Sequence, residues 1–232
     1  MTFGAAYIRG LTGFGMAIIL VPLFGLIVKP GDAVVIAILL QVLIGPVGLK
    51  VIYADAHRQS ALMIAAFAML ATPLGIWLLI HTSPDLARLM IAGIAIGAFV
   101  LVLLPQRGQL RPGPKETALT GIASGVLTGF AAMPGPPVVP FYLRQPIPPT
   151  EARASMMLVF FATAIAGTIS SFALGLANAR LLWLSLLLFP SVLAGNWLGA
   201  KSFGRVPPNV WRSFVAAVLG VAGLSAVLRL LN

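Results

Sequence analysis

The stretch that decides the fold is LTGFAAMPGPPVVP, residues 127–140. It lies inside a hydrophobic segment, yet it contains two glycines and four prolines. No straight helix can run through residues 134–137, because each proline lacks a backbone donor and its ring clashes with the preceding turn. In a bilayer, such irregular backbone is tolerated only where it is buried in protein or lines a water-filled cavity.

A similar interruption of a hydrophobic segment occurs near the start of the chain. Residues 11–14 read LTGF, as residues 127–130 do, and Val-Pro follows at 21–22 as it does at 139–140. Further matches between the halves keep offsets from 116 residues (127 minus 11) to 124 residues (212 minus 88). We interpret the chain as an internal duplication. Two interrupted hydrophobic segments at matching places of two halves are the best sequence indication of a transporter's binding site.

The composition indicates an all-α polytopic membrane protein in contact with the lipid bilayer. The chain is 59% hydrophobic and 9% charged, whereas soluble domains carry about 25% charged residues. Apolar runs of about 20 residues recur along its length, as membrane spans require. The net charge of +10 resides mainly in short connections, a pattern typical of topology signals and contacts with anionic lipid. We therefore expect no nucleic-acid partner.

The duplication predicts two homologous halves within one integral membrane domain. The first repeat covers residues 1–105, a basic linker covers 106–116 and the second repeat covers 117–232. Each half is expected to hold one helix that is broken or re-entrant, and three transmembrane helices. The broken segments are 2–28 and 117–144, and the predicted spans are 33–53, 60–80, 83–105, 151–176, 180–200 and 210–230.

The distribution of basic residues favours re-entrant hairpins for the two broken segments. If all eight segments cross, the 15 basic residues divide eight to seven between the two sides. If both broken segments return to the side they entered, the division is ten to five. Cytoplasmic connections should be richer in Lys and Arg, so the hairpin arrangement is preferred. It gives each half three crossings, which inverts one half relative to the other and puts both termini outside. The ten residues on the shared side are Lys50, Arg58, Arg107, Arg111, Lys115, Arg144, Arg153, Lys201, Arg205 and Arg212.

The candidate substrate-binding residues lie at the two breaks and close to them. Broken helices expose half-helix N-termini, whose partial positive charge favours an anion. A buried arginine could hold a sulfonate or carboxylate through its fork of donors. The alternative roles are helix packing through small residues, interfacial anchoring by arginine and hydrogen bonds between helices. The candidates are Arg9, Thr12, Gly13, Phe14, Gly15, Gln41, Thr128, Gly129, Phe130, Pro134, Gly135 and Arg153.

No pattern in the sequence supports catalysis, a metal site or a cofactor. The acidic residues Asp32, Asp55, Asp85, Glu116 and Glu151 all lie in or beside connections, which argues against a carboxylate proton relay. There is no cysteine, and therefore no thiolate chemistry or Cys-ligated metal. Neither a Walker loop nor a Ser-His or paired-Asp constellation is visible within the apolar segments. We expect a protein that is not an enzyme.

These motifs give the chain a family resemblance. The TGFG followed by Val-Pro in the first half, its TGF and Val-Pro echo in the second, and the length of 232 residues resemble the sulfite exporter TauE/SafE family of bacterial membrane permeases. The resemblance covers essentially the whole chain. It implies a multi-pass protein of the bacterial inner (cell) membrane that moves small sulfur-containing anions, such as sulfite, sulfoacetate or another organosulfonate, usually outward. It implies no catalytic residues.

The sequence thus leaves two classes of function. The first is a secondary transporter, an exporter, of a small anion bound at the paired breaks near the membrane midplane. The alternative is a membrane scaffold or assembly factor that does not transport, in which the breaks serve only packing. The partners expected are a small anionic substrate and lipid. A homodimer is compatible with either function.

Overall fold

The computed structural model describes residues 1–103 and 112–203, and this part of the chain is helical without a strand. The all-α prediction is therefore confirmed for it. The helices are α1 (Thr2–Thr12), α2 (Met16–Gly25), α3 (Pro30–Ile44), α4 (Leu49–Asp55), α5 (Arg58–Ile80), α6 (Pro84–Leu103), α7 (Pro114–Ala131), α8 (Gly135–Leu143), α9 (Pro149–Ala173) and α10 (Ala179–Lys201). Most of the predicted linker 106–116 and the whole predicted span 210–230 lie outside the described residues.

The first break separates α1 from α2 at residues 13–15. Gly13 ends α1 with φ 86° and Gly15 precedes α2 with φ 92°. Both angles are in the left-handed region, which glycine adopts without a steric cost. The hydroxyl of Thr12 accepts a hydrogen bond from the Phe14 amide. The two glycines and this hydroxyl therefore stabilise the change of direction locally.

The second break separates α7 from α8, and here the chain turns back on itself. Ala132 has φ 57°, and the amides of Ala132 and Met133 donate to the carbonyls of Thr128 and Leu127. The bond from the left-handed Ala132 to the Thr128 carbonyl is the αL ending of a helix. The Ser124 hydroxyl, two turns back on α7, then donates to the Pro134 carbonyl at 3.1 Å. A chain continuing along the axis of α7 could not make that contact, because each helical residue advances ~1.5 Å.

Both ends of the α7–α8 pair lie beside one cavity. Pro114, the first residue of α7, and Gln145, which follows α8, line the same cavity of about 350 Å³. His57 and Ser60, at the start of α5, line it too. The α7–α8 pair therefore ends close to where it began.

Four of the described helices are long and apolar enough to cross a membrane, namely α5, α6, α9 and α10. They match the predicted spans 60–80, 83–105, 151–176 and 180–200. The predicted continuous span 33–53 is wrong in one respect, because α3 and α4 meet at an angle of 84°. Gly48 has φ 75° between them, and a Cβ on Gly45 would overlap the ring of Phe161. A packed bend therefore replaces the straight helix.

The most extensive contacts join the two halves of the chain. In one, α5 of the first half packs on α7, the first part of the broken helix in the second half. In the other, α10 of the second half packs on α1 of the first. Glycine mediates the contact between α5 and α7, since a Cβ on Gly121, Gly125 or Gly129 would collide with the backbone of α5. In the contact between α10 and α1, a Cβ on Gly195 or Gly199 would overlap the carbonyls of Phe3 and Tyr7. Small residues that allow backbones to touch are the usual basis of helix packing in membranes.

Candidate functional site

A small cavity lies where the two breaks meet, and we call it the central cavity. Its volume is about 20 Å³, room for roughly one or two water molecules. A sulfonate does not fit in that space without a rearrangement of the lining. The lining residues are Arg9, Phe14, Gly15, Met16, Ala17, Ile18, Gln41, Ala132, Met133, Pro134, Gly135 and Phe160.

Arg9 is the charged residue of this lining. It lies in the last turn of α1 and is only 5% exposed. Its Nη1 donates to the Oδ1 of Asn196 on α10 at 2.7 Å. This partner is a neutral amide, and in the described part of the chain the only ion pair joins Arg88 to Asp85. A guanidinium buried with a neutral partner leaves its positive charge uncompensated, which costs several kcal/mol.

Two half-helix N-termini face the central cavity beside Arg9. The first turn of α2 contributes residues 16–18, and the start of α8 contributes Pro134 and Gly135. The first amides of a helix have no partner within it and carry the positive end of the helix dipole. Pro136 and Pro137 remove two of these amides from α8. The α2 terminus is therefore the richer source of donors.

Gln41 connects the long helix α3 to the second break. It is buried, and its Nε2 donates to the carbonyl of Ala132 at 3.1 Å. Ala132 is the residue with left-handed backbone, so this bond holds the turn in place against α3. The side-chain oxygen of Gln41 stays available as an acceptor, but its amide is used for structure.

Half of the predicted site residues share the central cavity. These are Arg9, Phe14, Gly15, Gln41, Pro134 and Gly135. The other half lie outside its lining and have contacts of their own. These are Thr12, Gly13, Thr128, Gly129, Phe130 and Arg153.

The contacts of these outer residues show what each does in the structure. Thr128 donates to the Ser124 carbonyl in its own helix. Gly129 packs against the backbone of α5, and Phe130 is a buried core residue. Gly13 makes space for a long side chain, since a Cβ there would lie 2.7 Å from the Cγ of Arg153.

Arg153 contacts α1 but does not line the central cavity. Its Nη2 donates to the Gly10 carbonyl at 2.6 Å, and its guanidinium stacks over the Phe203 ring at 4.8 Å. Its Nε is buried without a hydrogen-bond partner among the described residues. It lines a wider cavity of about 630 Å³ between α4, α9 and α10, which we call the side cavity.

Sequence reasoning missed Met16, Ala17, Ile18, Ala132, Met133 and Phe160, which also line the central cavity. One signal was available for Phe160. It follows Gln41 by 119 residues (160 minus 41), within the range of offsets that relates the two halves. It is thus the positional counterpart of a residue already chosen. The same range of offsets pairs Ile18 with Pro134 (134 minus 18 is 116), so this signal was available for an aliphatic residue as well.

The fold and the cavity define a polytopic helical membrane protein whose two discontinuous helices meet at a buried cation, an architecture of secondary transporters. The chain belongs to the sulfite exporter TauE/SafE family, whose model matches residues 1–226.

One curated relative is the "Probable sulfite/organosulfonate exporter TauE" of Cupriavidus necator (strain H16). It is 29% identical over 143 residues, which cover 62% of this chain and 56% of the relative. The match thus spans little more than half the length of that protein. No solved structure matches the chain.

Proposed function

We propose that this protein is a secondary transporter that exports a small sulfur-containing anion across the bacterial inner membrane. The observation that carries the proposal is the convergence of Arg9 and two half-helix N-termini on one central cavity. The family membership and the curated relative, itself named an exporter of sulfite or organosulfonate, support the substrate class. Sulfite, sulfoacetate and other organosulfonates are the candidates.

The charges around the central cavity favour an anion over a cation or a neutral solute. Its described lining contains one arginine and no carboxylate. A bound anion would supply the counter-charge that Asn196 does not give Arg9, and charge-assisted hydrogen bonds are roughly twice as strong as neutral ones. The guanidinium fork suits the geometry of a sulfonate or sulfite oxygen pair.

Export needs no ATP for such a substrate. With the outside positive, a monovalent anion that leaves the cell gains ~2.3 kcal/mol per 100 mV. This gain corresponds to about a fiftyfold bias in the outward direction. Uniport is therefore sufficient for export, whereas uptake would need a coupled cation.

Efflux from proteoliposomes tests the proposal. The purified chain would be reconstituted with sulfite, sulfoacetate, a longer alkyl sulfonate or a carboxylate inside, and release measured at a set membrane potential. We expect one or more of the sulfur anions to leave faster than the carboxylate, and the rate to rise when the outside is made positive. Correctly inserted protein that releases none of them would favour the scaffold function instead.

A further inference from the structure

We infer that Asn196 is a further substrate-contacting residue and forms the gate between the side cavity and the central cavity. The inference rests on the proposed function, because it assigns a route to the anion proposed above. In this route the anion meets Arg153 and Asn196 first, displaces Asn196 from Arg9, and then binds Arg9.

The two cavities are separate, and one hydrogen bond crosses the wall between them. They have no lining residue in common. Arg9 lines the central cavity, Asn196 lines the side cavity, and the Nη1 of Arg9 donates to the Oδ1 of Asn196. Asn196 is 6% exposed. The wall is thus the last turn of α1 together with this amide.

The backbones on both sides of the wall are already in contact, so the side chain is the part that can move. A Cβ on Gly10 would overlap the Asn196 carbonyl and lie 2.8 Å from the Ala200 amide. Gly199 meets the Tyr7 carbonyl in the same manner. Such close packing resists separation of α1 from α10. Rotation of the Asn196 side chain needs no such separation.

Asn196 is also a suitable competitor for the substrate. Its amide oxygen occupies one donor of Arg9 as a neutral acceptor, and an anionic oxygen is a stronger acceptor for the same donor. A carboxylate at this position would hold Arg9 against the substrate, and an aliphatic residue would leave the guanidinium unbound. An amide binds Arg9 with intermediate strength, and a gate that must open requires a bond of that kind.

Arg153 supplies the charge that brings an anion to this gate. Its Nε is buried and lacks a partner among the described residues, and its Nη2 donates to the carbonyl of Gly10, next to Arg9 in sequence. The rest of the side cavity is mainly apolar, with Val47, Val51, Leu193 and Trp197 in its lining. An anion in the side cavity therefore has its best polar contacts at Arg153 and Asn196.

Cysteine accessibility tests the gate without any measurement of transport. The chain has no cysteine, so Ala17→Cys reports on the central cavity and Ala194→Cys on the side cavity. The probe is methanethiosulfonate ethylsulfonate, a thiol reagent that is itself an organosulfonate. Modification rates would be compared in the otherwise unchanged chain, in Asn196→Ala and in Asn196→Asp. Ser185→Ala is the control, since Ser185 is buried on α10 and its hydroxyl donates to the Leu181 carbonyl of the same helix.

We expect Ala194→Cys to react in every background and Ala17→Cys to react slowly in the unchanged chain. Asn196→Ala should raise the rate at Ala17→Cys about tenfold or more, because a hydrogen bond to a charged group is lost. Asn196→Asp should keep that rate low, because its carboxylate pairs with Arg9. Ser185→Ala should leave it unchanged.

Three results would overturn the gate. The first is an Ala194→Cys that does not react, and the second is an equal rate at Ala17→Cys with and without Asn196→Ala. The third is a faster rate at Ala17→Cys in Asn196→Asp than in the unchanged chain. If Asn196→Ala fails to fold, the result with Asn196→Asp decides alone. The proposed function fails separately. A gate that behaves as expected in a protein that moves no sulfur anion would defeat only the export proposal.

Discussion

At the residue scale, Arg9 is the side chain on which the proposed transport depends most. It is buried and lines the central cavity, and within the described residues its side-chain partner is a neutral amide. Arg9→Gln should therefore weaken anion binding about tenfold to hundredfold, the range for a lost hydrogen bond to a charged group. Arg9→Lys should restore only part of it, since the planar fork is lost. Binding of the transported anion to purified protein, measured by calorimetry, checks both.

The matched control for Arg9 is Lys50→Gln, which removes one positive charge from an exposed position. It should leave the affinity within the error of the measurement, because exposed charges are screened by salt. Equal losses in Lys50→Gln and Arg9→Gln would show that net charge, and not the site, holds the anion.

A second prediction at this scale concerns Gly129, which the sequence placed in the binding site. Gly129→Ala should destabilise the fold by about 1–3 kcal/mol, the usual cost of overpacking, because the new methyl group meets the backbone of α5 at Thr72. Gly93→Ala on α6 is the control, since no atom in residues 1–103 or 112–203 lies within 4 Å of its Cβ position. Thermal unfolding in detergent distinguishes them. If Gly129→Ala is as stable as the unchanged chain but does not transport, Gly129 belongs to the binding site and not to the packing face.

The comparison of Gly129 with Gly15 shows how far the site could be predicted. The repeated LTGF motif located both breaks, and Gly15 does line the central cavity. Gly129 has the same local sequence as Gly13 but packs on α5. The spacing Gly121, Gly125 and Gly129 was the sign of a packing face, since small residues four apart let backbones approach. Which neighbour a glycine meets depends on tertiary packing, and the motif alone does not contain that information.

At the scale of elements, the turn between α7 and α8 depends on the hydrogen bond from Ser124 to the Pro134 carbonyl. Ser124→Ala should lower stability by about 1–3 kcal/mol, because a buried carbonyl loses its donor. Ser185→Ala is closely matched, since both serines are fully buried and the Ser185 hydroxyl donates to the Leu181 carbonyl within its own helix. Chemical unfolding followed by helical circular dichroism measures both. Equal losses of stability would mean that the bond across the turn contributes no more than a hydrogen bond within a helix.

The helices themselves were predictable where composition decides them, and not where packing does. The spans α5, α6, α9 and α10 follow from long apolar runs. The bend between α3 and α4 could not be predicted in this way, because the apolar run continues through it and Gly45-Pro46 alone does not fix an angle. The ring of Phe161, more than a hundred residues away in sequence, occupies the space at Gly45. Only the assembled protein brings these two positions together.

At the scale of the whole molecule, we propose that the halves are inverted repeats with re-entrant pairs. Two observations support this. The pair α7–α8 begins and ends beside one cavity, and the packing of α5 on α7 has its counterpart in that of α10 on α1. Gly121 and Gly125 meet Ile64 and Ala68, in the same chain order, so α7 runs parallel to α5. Gly195 and Gly199 meet Phe3 and Tyr7 likewise, so α1 runs parallel to α10.

The last prediction concerns the side of the membrane on which each helix begins and ends. If α7–α8 is re-entrant, Lys115 and Gln145 face the same side of the membrane, and the excess of basic connections makes that side cytoplasmic. Single cysteines at Lys115→Cys and Gln145→Cys should both resist an impermeant maleimide in intact cells and both react after permeabilisation. Arg180→Cys, exposed in the first turn of α10 and close to the C-terminal end of α9, should react in intact cells. If Lys115→Cys and Gln145→Cys behave differently, the pair crosses the membrane, each half has four crossings, and the inversion between the halves is lost with it.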